Sequence, residues 1–141
     1  MIRKKLAKVY KVLLKHKLLL TATVFLIVGF ILGVFLLGVQ WIGHDVSQEC
    51  LNAQEQYQGT CVNSLSTLIL DPRQKLRHRT QAVWALGQLG DSKAVPALEK
   101  LATRPECQTG TNCHYELQKA LKLASGSLNL TAPFWRLSIA N

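Results

Sequence analysis

Hydrophobic positions fall into two regimes along this chain. Residues 18–39 carry no charge and nothing more polar than Thr21 and Thr23. Twenty-two residues at 1.5 Å rise give about 33 Å of helix, enough for a bilayer core of about 30 Å. From Gly43 onward the apolar residues recur instead at three and four, the period of amphipathic helices. Val46 to Tyr57 reads as one helix, closed by Gln58–Gly59. Cys61, Val62, Leu65, Leu68 and Ile69 make a second stripe that stops at Asp71–Pro72. A longer helix follows over 73–89, with Leu76, Ala82, Val83, Leu86 and Leu89 on one side. Gly90–Asp91 predicts a turn, with Asp91 or Ser92 as N-cap of a helix over 93–103. Residues 104–112 read as a polar loop and 115–124 as another helix, stopped by Ser125–Ser127. The tail from Leu128 shows no helical period and holds the one stretch where a strand could be expected.

The second regime repeats itself. "CVNSLSTLILD" (61–71) lies over "AVPALEKLATR" (94–104) at an offset of 33, pairing Val62 with Val95, Leu65 with Leu98 and Leu68 with Leu101. "KALKLASG" echoes "WALGQLGD" more loosely. The expected architecture is therefore all-α: a transmembrane helix followed by about two and a half helical hairpins. A lone hairpin cannot bury its stripe, so neighbours stack into an α-α superhelix, right-handed or nearly linear. The expected organisation is an arm over 1–17, a span over 18–42, a repeat domain over 43–127 and a hydrophobic tail over 128–141.

Charge refines this picture. The net +9 resembles that of a nucleic-acid binder, but seven of the 17 Lys/Arg lie between Arg3 and Lys17. The chain from Gly43 onward is only +2, so no nucleic-acid partner is expected. Lys4, Lys5, Lys8, Lys11 and Lys15 intersperse with Ile2, Leu6, Val9 and Leu13. That pattern suits a helix on anionic headgroups, and equally a basic flank that only fixes topology. No Lys or Arg follows the span until Arg73, so the N-terminus is expected in the cytoplasm and the rest in a periplasmic or other extracytoplasmic space. Trp41 sits where an aromatic interface anchor would. The apolar core exceeds that of a secretory signal and no small-x-small site follows, which reads as an uncleaved signal-anchor.

Cys50, Cys61, Cys107 and Cys113 all follow the span, in two close pairs. Proximity suggests Cys50–Cys61 and Cys107–Cys113 disulfides, one of three connectivities that four cysteines allow. A zinc site on Cys107, Cys113 and His114 lacks a fourth ligand. His44, His78 and His114 have no carboxylate at a spacing that enforces pairing on one helix face, although Glu106 and His114 could meet across their loop. No acid, base or nucleophile set converges, so neither a catalytic residue nor a cofactor is expected.

Five features remain to be placed. Arg73, Arg77 and Arg79 start a helix with cations, against its dipole. Trp84 reads as core, with its N–H reaching a surface. Phe134, Trp135, Leu137 and Ile139 either cap the last helix or bind a partner or the membrane surface. Gly29 and Gly33 form a small-xxx-small motif that permits helix dimerisation, hence a homo-oligomer. Asn129 begins a glycosylation sequon, relevant only in a eukaryotic lumen.

"RTQAVWALGQLGDSKAVPAL" resembles a bacterial HEAT-like repeat of the short type found in phycobilin lyase relatives. The resemblance rests on Arg79, Ala82, Ala85, Leu86 to Asp91 and Ala94 to Leu98, and it fades outside 79–101. It implies that Arg79 links adjacent turns through Asp71 or Asp91, and that Ala82, Ala85 and Gly87 let helices approach. The chain after Gly43 is similar to small membrane-anchored bacterial HEAT-repeat proteins, which implies a fold and no activity. The expected function is a scaffold or accessory module that binds protein and is not an enzyme. The alternatives are a lyase-like ligand handler and a homo-oligomeric membrane piece.

Overall fold

The computed structural model describes the backbone of residues 2–108 and 111–139, and the side chains of residues 16–108 and 111–136. The side chains of Lys4, Lys5, Lys8, Lys11, Lys15, Leu137 and Ile139 therefore lie outside the described residues. Six α-helices follow in order: α1 Ile2–Gln56, α2 Cys61–Leu70, α3 Leu76–Leu89, α4 Val95–Ala102, α5 Asn112–Ala124 and α6 Ala132–Ile139. Short 3-10 turns precede α4 and α5, and no strand occurs among the described residues.

α1 joins what the sequence separates into arm, span and first ectodomain helix. Gly43 does not interrupt it, because one glycine inside a helix costs only about 1 kcal/mol. The chain divides into two compact units at 38/39. The first unit is helix alone. Its described apolar side chains, from Leu18 onward, stand open: Phe25 is 77%, Leu26 74% and Phe30 74% exposed. It belongs to a helix long and apolar enough to cross a membrane.

The second unit has one core. Val46, Cys50 and Ala53 of α1 enter it at three- and four-residue spacing. Leu65 and Ile69 of α2, Leu98 and Leu101 of α4, and Leu117 of α5 are fully buried. The equivalents at the offset of 33, Leu65 with Leu98 and Leu68 with Leu101, thus occupy matching core positions. α3 packs on α2 and α5, and α4 on α2 and α5.

Local chemistry sets the boundaries. Thr60 and Thr111 accept the N–H groups of Asn63 and His114 as N-caps of α2 and α5, and Asp91 accepts that of Lys93. α3 ends on Gly90 at φ 61°, a left-handed cap that suits glycine. It starts three residues later than expected because the Asp71 carboxylate holds the Arg73 N–H in a turn at 2.9 Å.

The tail departs from expectation. It forms α6, which lies against α3 rather than continuing as an aperiodic segment. Trp135 is 3% exposed, and its Cβ lies 2.9 Å from where a Cβ on Gly43 would stand. The Arg136 guanidinium donates through Nε (3.1 Å) and Nη2 (2.7 Å) to the Gln88 carbonyl near the end of α3. Asn129 Nδ2 donates to Gln88 Oε1 at 3.0 Å. This segment returns to α1 and α3 and closes the stack.

Both expected disulfides are present, Cys50–Cys61 and Cys107–Cys113, and no described cysteine is free. The first ties α1 to α2 and the second ties the loop to the first turn of α5. Closing such short loops removes unfolded-state entropy worth about 2 kcal/mol each. Reduction should therefore lower the melting temperature of the full chain and slow its migration on a denaturing gel; equal melting with and without reductant would contradict this.

Candidate functional site

The basic start of α3 splits into different environments. Arg73 is exposed and its Nε lies 3.2 Å from Asp71 Oδ1. Tyr57 Oη donates to Asp71 Oδ2 at 2.7 Å. Together, bonds from the Arg73 side chain and backbone and from Tyr57 hold the Asp71 carboxyl down at about 2. Arg77 and His78 are exposed. Burial holds the Glu49 carboxyl of α1 above the usual range; His78 opposes that rise and Asp45 adds to it.

Arg79 is different, and here the sequence reading needs correction. It lies three and four residues before Ala82 and Val83, on the core face, and is only 6% exposed. Its partner is neither Asp71 nor Asp91. Nη1 donates to Glu106 Oε1 at 2.8 Å, across 27 positions of sequence. Arg104 also approaches Glu106, at 3.9 Å, and donates from Nη2 to the Leu70 carbonyl at 2.7 Å. Arg79, Glu106 and Arg104 thus join α3, the pre-α5 loop and the end of α2. Arg79 is interior framework and presents no partner-facing surface. The Arg79 bond depresses the Glu106 carboxyl, assisted by its own backbone.

These carboxyls have a pH signature. Asp71 and Glu106 have lowered folded pKa values, so their contribution is present above the ordinary carboxylate range and disappears as pH falls through the folded values. Glu49 is raised, so its ionisation works against the fold at neutral pH and protonation relieves it. Melting should be nearly level, or rise slightly, on acidification toward about pH 5, then fall between about pH 4 and 2. A melting temperature that climbs steadily down to pH 3 would contradict this assignment.

Beside the basic start, α3 and α5 enclose a groove of ≈ 520 Å³. Leu76, Thr80 and Trp84 recur every four residues along its α3 wall, and Asn112, Cys113 and Glu116 form the α5 wall. Trp84 is half-buried and also lines a smaller ≈ 160 Å³ recess that continues toward Lys119 and Leu123. Lys119 Nζ donates to Glu116 Oε1 at 3.3 Å and sits 4.1 Å from the Tyr115 ring centroid. The exposed Arg77 also lines the larger groove.

The groove is lined by apolar Leu76 and Trp84 together with the hydrogen-bonding Thr80, Gln81, Thr111, Asn112 and Glu116, a mixture suited to binding. Among the described residues, no cluster of three His, Cys, Asp or Glu could hold a metal ion. Trp84 packs half-buried against the core, as its stripe neighbours predict, while its open side lines a groove that the sequence does not announce. The signal is the 76/80/84 spacing, set beside the Ala82–Val83 stripe and hidden by it.

Of the tail candidates, Trp135 is interior and Phe134 is 61% exposed. Along the span, a Cβ on Gly29 or Gly33 would meet nothing within 4 Å among the described residues beyond its chain neighbours and the helix's own backbone.

Comparison with known families agrees with the repeat. A family model described as PBS lyase HEAT-like repeat matches residues 79–103, from Arg79 of α3 to the end of α4. The chain contains a HEAT-like helical repeat. No curated protein and no solved structure matches it.

Proposed function

We propose that this chain is a membrane-anchored helical-repeat module that binds a protein partner on the non-cytoplasmic side, as a scaffold or accessory subunit rather than an enzyme. The observation that carries this reading is the open α3–α5 groove on a HEAT-like repeat attached to a long, solvent-open apolar helix. A soluble core helix would bury those side chains; here they are exposed, as lipid contact requires. The two disulfides and the charge difference across the span favour an oxidising compartment beyond the membrane.

In-cell photo-cross-linking from Arg77 and Gln81 tests the module. A recurrent heterologous protein, lost on Trp84→Ala, is expected. Adducts of the chain with itself alone, at both positions, would replace this reading with the homo-oligomer that Gly29 and Gly33 permit. Retention of a small molecule through purification, released by Trp84→Ala, would replace it with ligand handling, for which the groove falls within the usual volume of about 300–1,000 Å³.

A further inference from the structure

We infer that residues 128–134 are a second membrane contact of this chain, with Leu128, Leu130 and Phe134 entering the headgroup region of the bilayer that α1 crosses. This rests on the anchoring proposed above.

Trp135 is seated on Gly43. Gly43 lies four residues past Val39, the end of the uncharged apolar run. Four residues of helix rise about 6 Å, and the headgroup zone extends about 5–7 Å beyond the hydrocarbon on each side. The fold thus brings the C-terminal segment back to the stretch of α1 that emerges through the interface. Trp41, 75% exposed, marks the same level.

Beyond Gly43, six large hydrophobic side chains among the described residues are exposed, and three lie within residues 128–134: Leu128 at 84%, Leu130 at 71% and Phe134 at 61%. They are held outward by what their neighbours do. Asn129 turns in to Gln88, and its Oδ1 accepts from Thr131 N (3.2 Å) and Oγ1 (2.8 Å). The flanking leucines are then presented away from that anchor. Trp135 turns in on α6, while Phe134 beside it remains exposed. Two pinned residues, Asn129 and Arg136, fix the whole segment to the end of α3.

No acidic residue follows Glu116, while Lys119, Lys122 and Arg136 do. A ridge of exposed apolar side chains on a stretch that itself carries no carboxylate suits an anionic lipid surface, with Asp91 the acidic group that shares a recess with Arg136.

The test uses the full chain in vesicles of phosphatidylcholine with a minor share of phosphatidylglycerol. p-Benzoylphenylalanine replaces Leu130, Phe134, Tyr115, Trp41 or Phe25 singly, with both disulfides verified by mass. After irradiation, lipid adducts are expected at 130 and 134 as at 41, and none above background at 115, which is exposed but distant in sequence from the ridge. Adducts at 25 and 41 without any at 130 and 134 would overturn the inference while leaving the anchor intact. Absence of adducts at 25 as well would overturn both. Protein adducts at 130 and 134 in place of lipid would assign the ridge to a protein contact and overturn the inference.

Discussion

Arg79→Ala is expected to destabilise the repeat unit by about 3 kcal/mol, a large share of a typical total of about 5–15 kcal/mol. Breaking a buried ion pair costs about 3–5 kcal/mol when the abandoned charge stays dry. Here Glu106 is 31% exposed and regains some water, which places the loss at the low end. The remainder comes from the space left by a side chain that is 7% exposed in α3. Glu106→Gln should also destabilise, by leaving the guanidinium buried without a counter-charge. The double variant should lose less than the two single losses combined. Denaturant unfolding of the four proteins in one detergent measures this cycle; strict additivity would show that the pair does not couple.

Gly87→Val is the second large effect, at about 3 kcal/mol, the upper end of overpacking penalties. A Cβ on Gly87 would lie 2.7 Å from the Cα and 3.0 Å from the Cβ of Ala120. The nearest obstacle is backbone, so no rotamer change relieves it and α3 must move off α5. Even Gly87→Ala should lose stability. Its helix-propensity gain of about 1 kcal/mol is outweighed by overpacking of about 1–3 kcal/mol. A Gly87→Ala protein that melts higher than the parent would show that the two helices yield.

What could be read from the sequence follows the range of the responsible interaction. Leu65, Leu68, Leu98 and Leu101 declare themselves through period and repeat, because packing on adjacent helices writes both into the chain. The disulfides were within reach because their cysteines are neighbours. The Arg79 partner was not, since Glu106 stands on a loop outside every period. α6 was hidden for another reason. Ala132 and Trp135 provide its buried contacts, but Phe134 and the nearby Leu137 are apolar too, and a helix hydrophobic on several sides shows no stripe. The unbroken α1 was obscured by Gly43, whose role is steric: Trp135 occupies the space a side chain would need. The α3–α5 groove depends on which faces two helices leave uncovered, which neither helix records alone.

The Cys50–Cys61 bond has a consequence for proteolysis. It bridges the exposed connection 58–60, which the Gln54 amide holds by donating to the Gly59 carbonyl at 3.0 Å. A single cut there would not release the repeat unit. The two fragments would remain one molecule until a reductant separated them, so shedding this unit by cleavage at that turn requires a thiol as well as a protease.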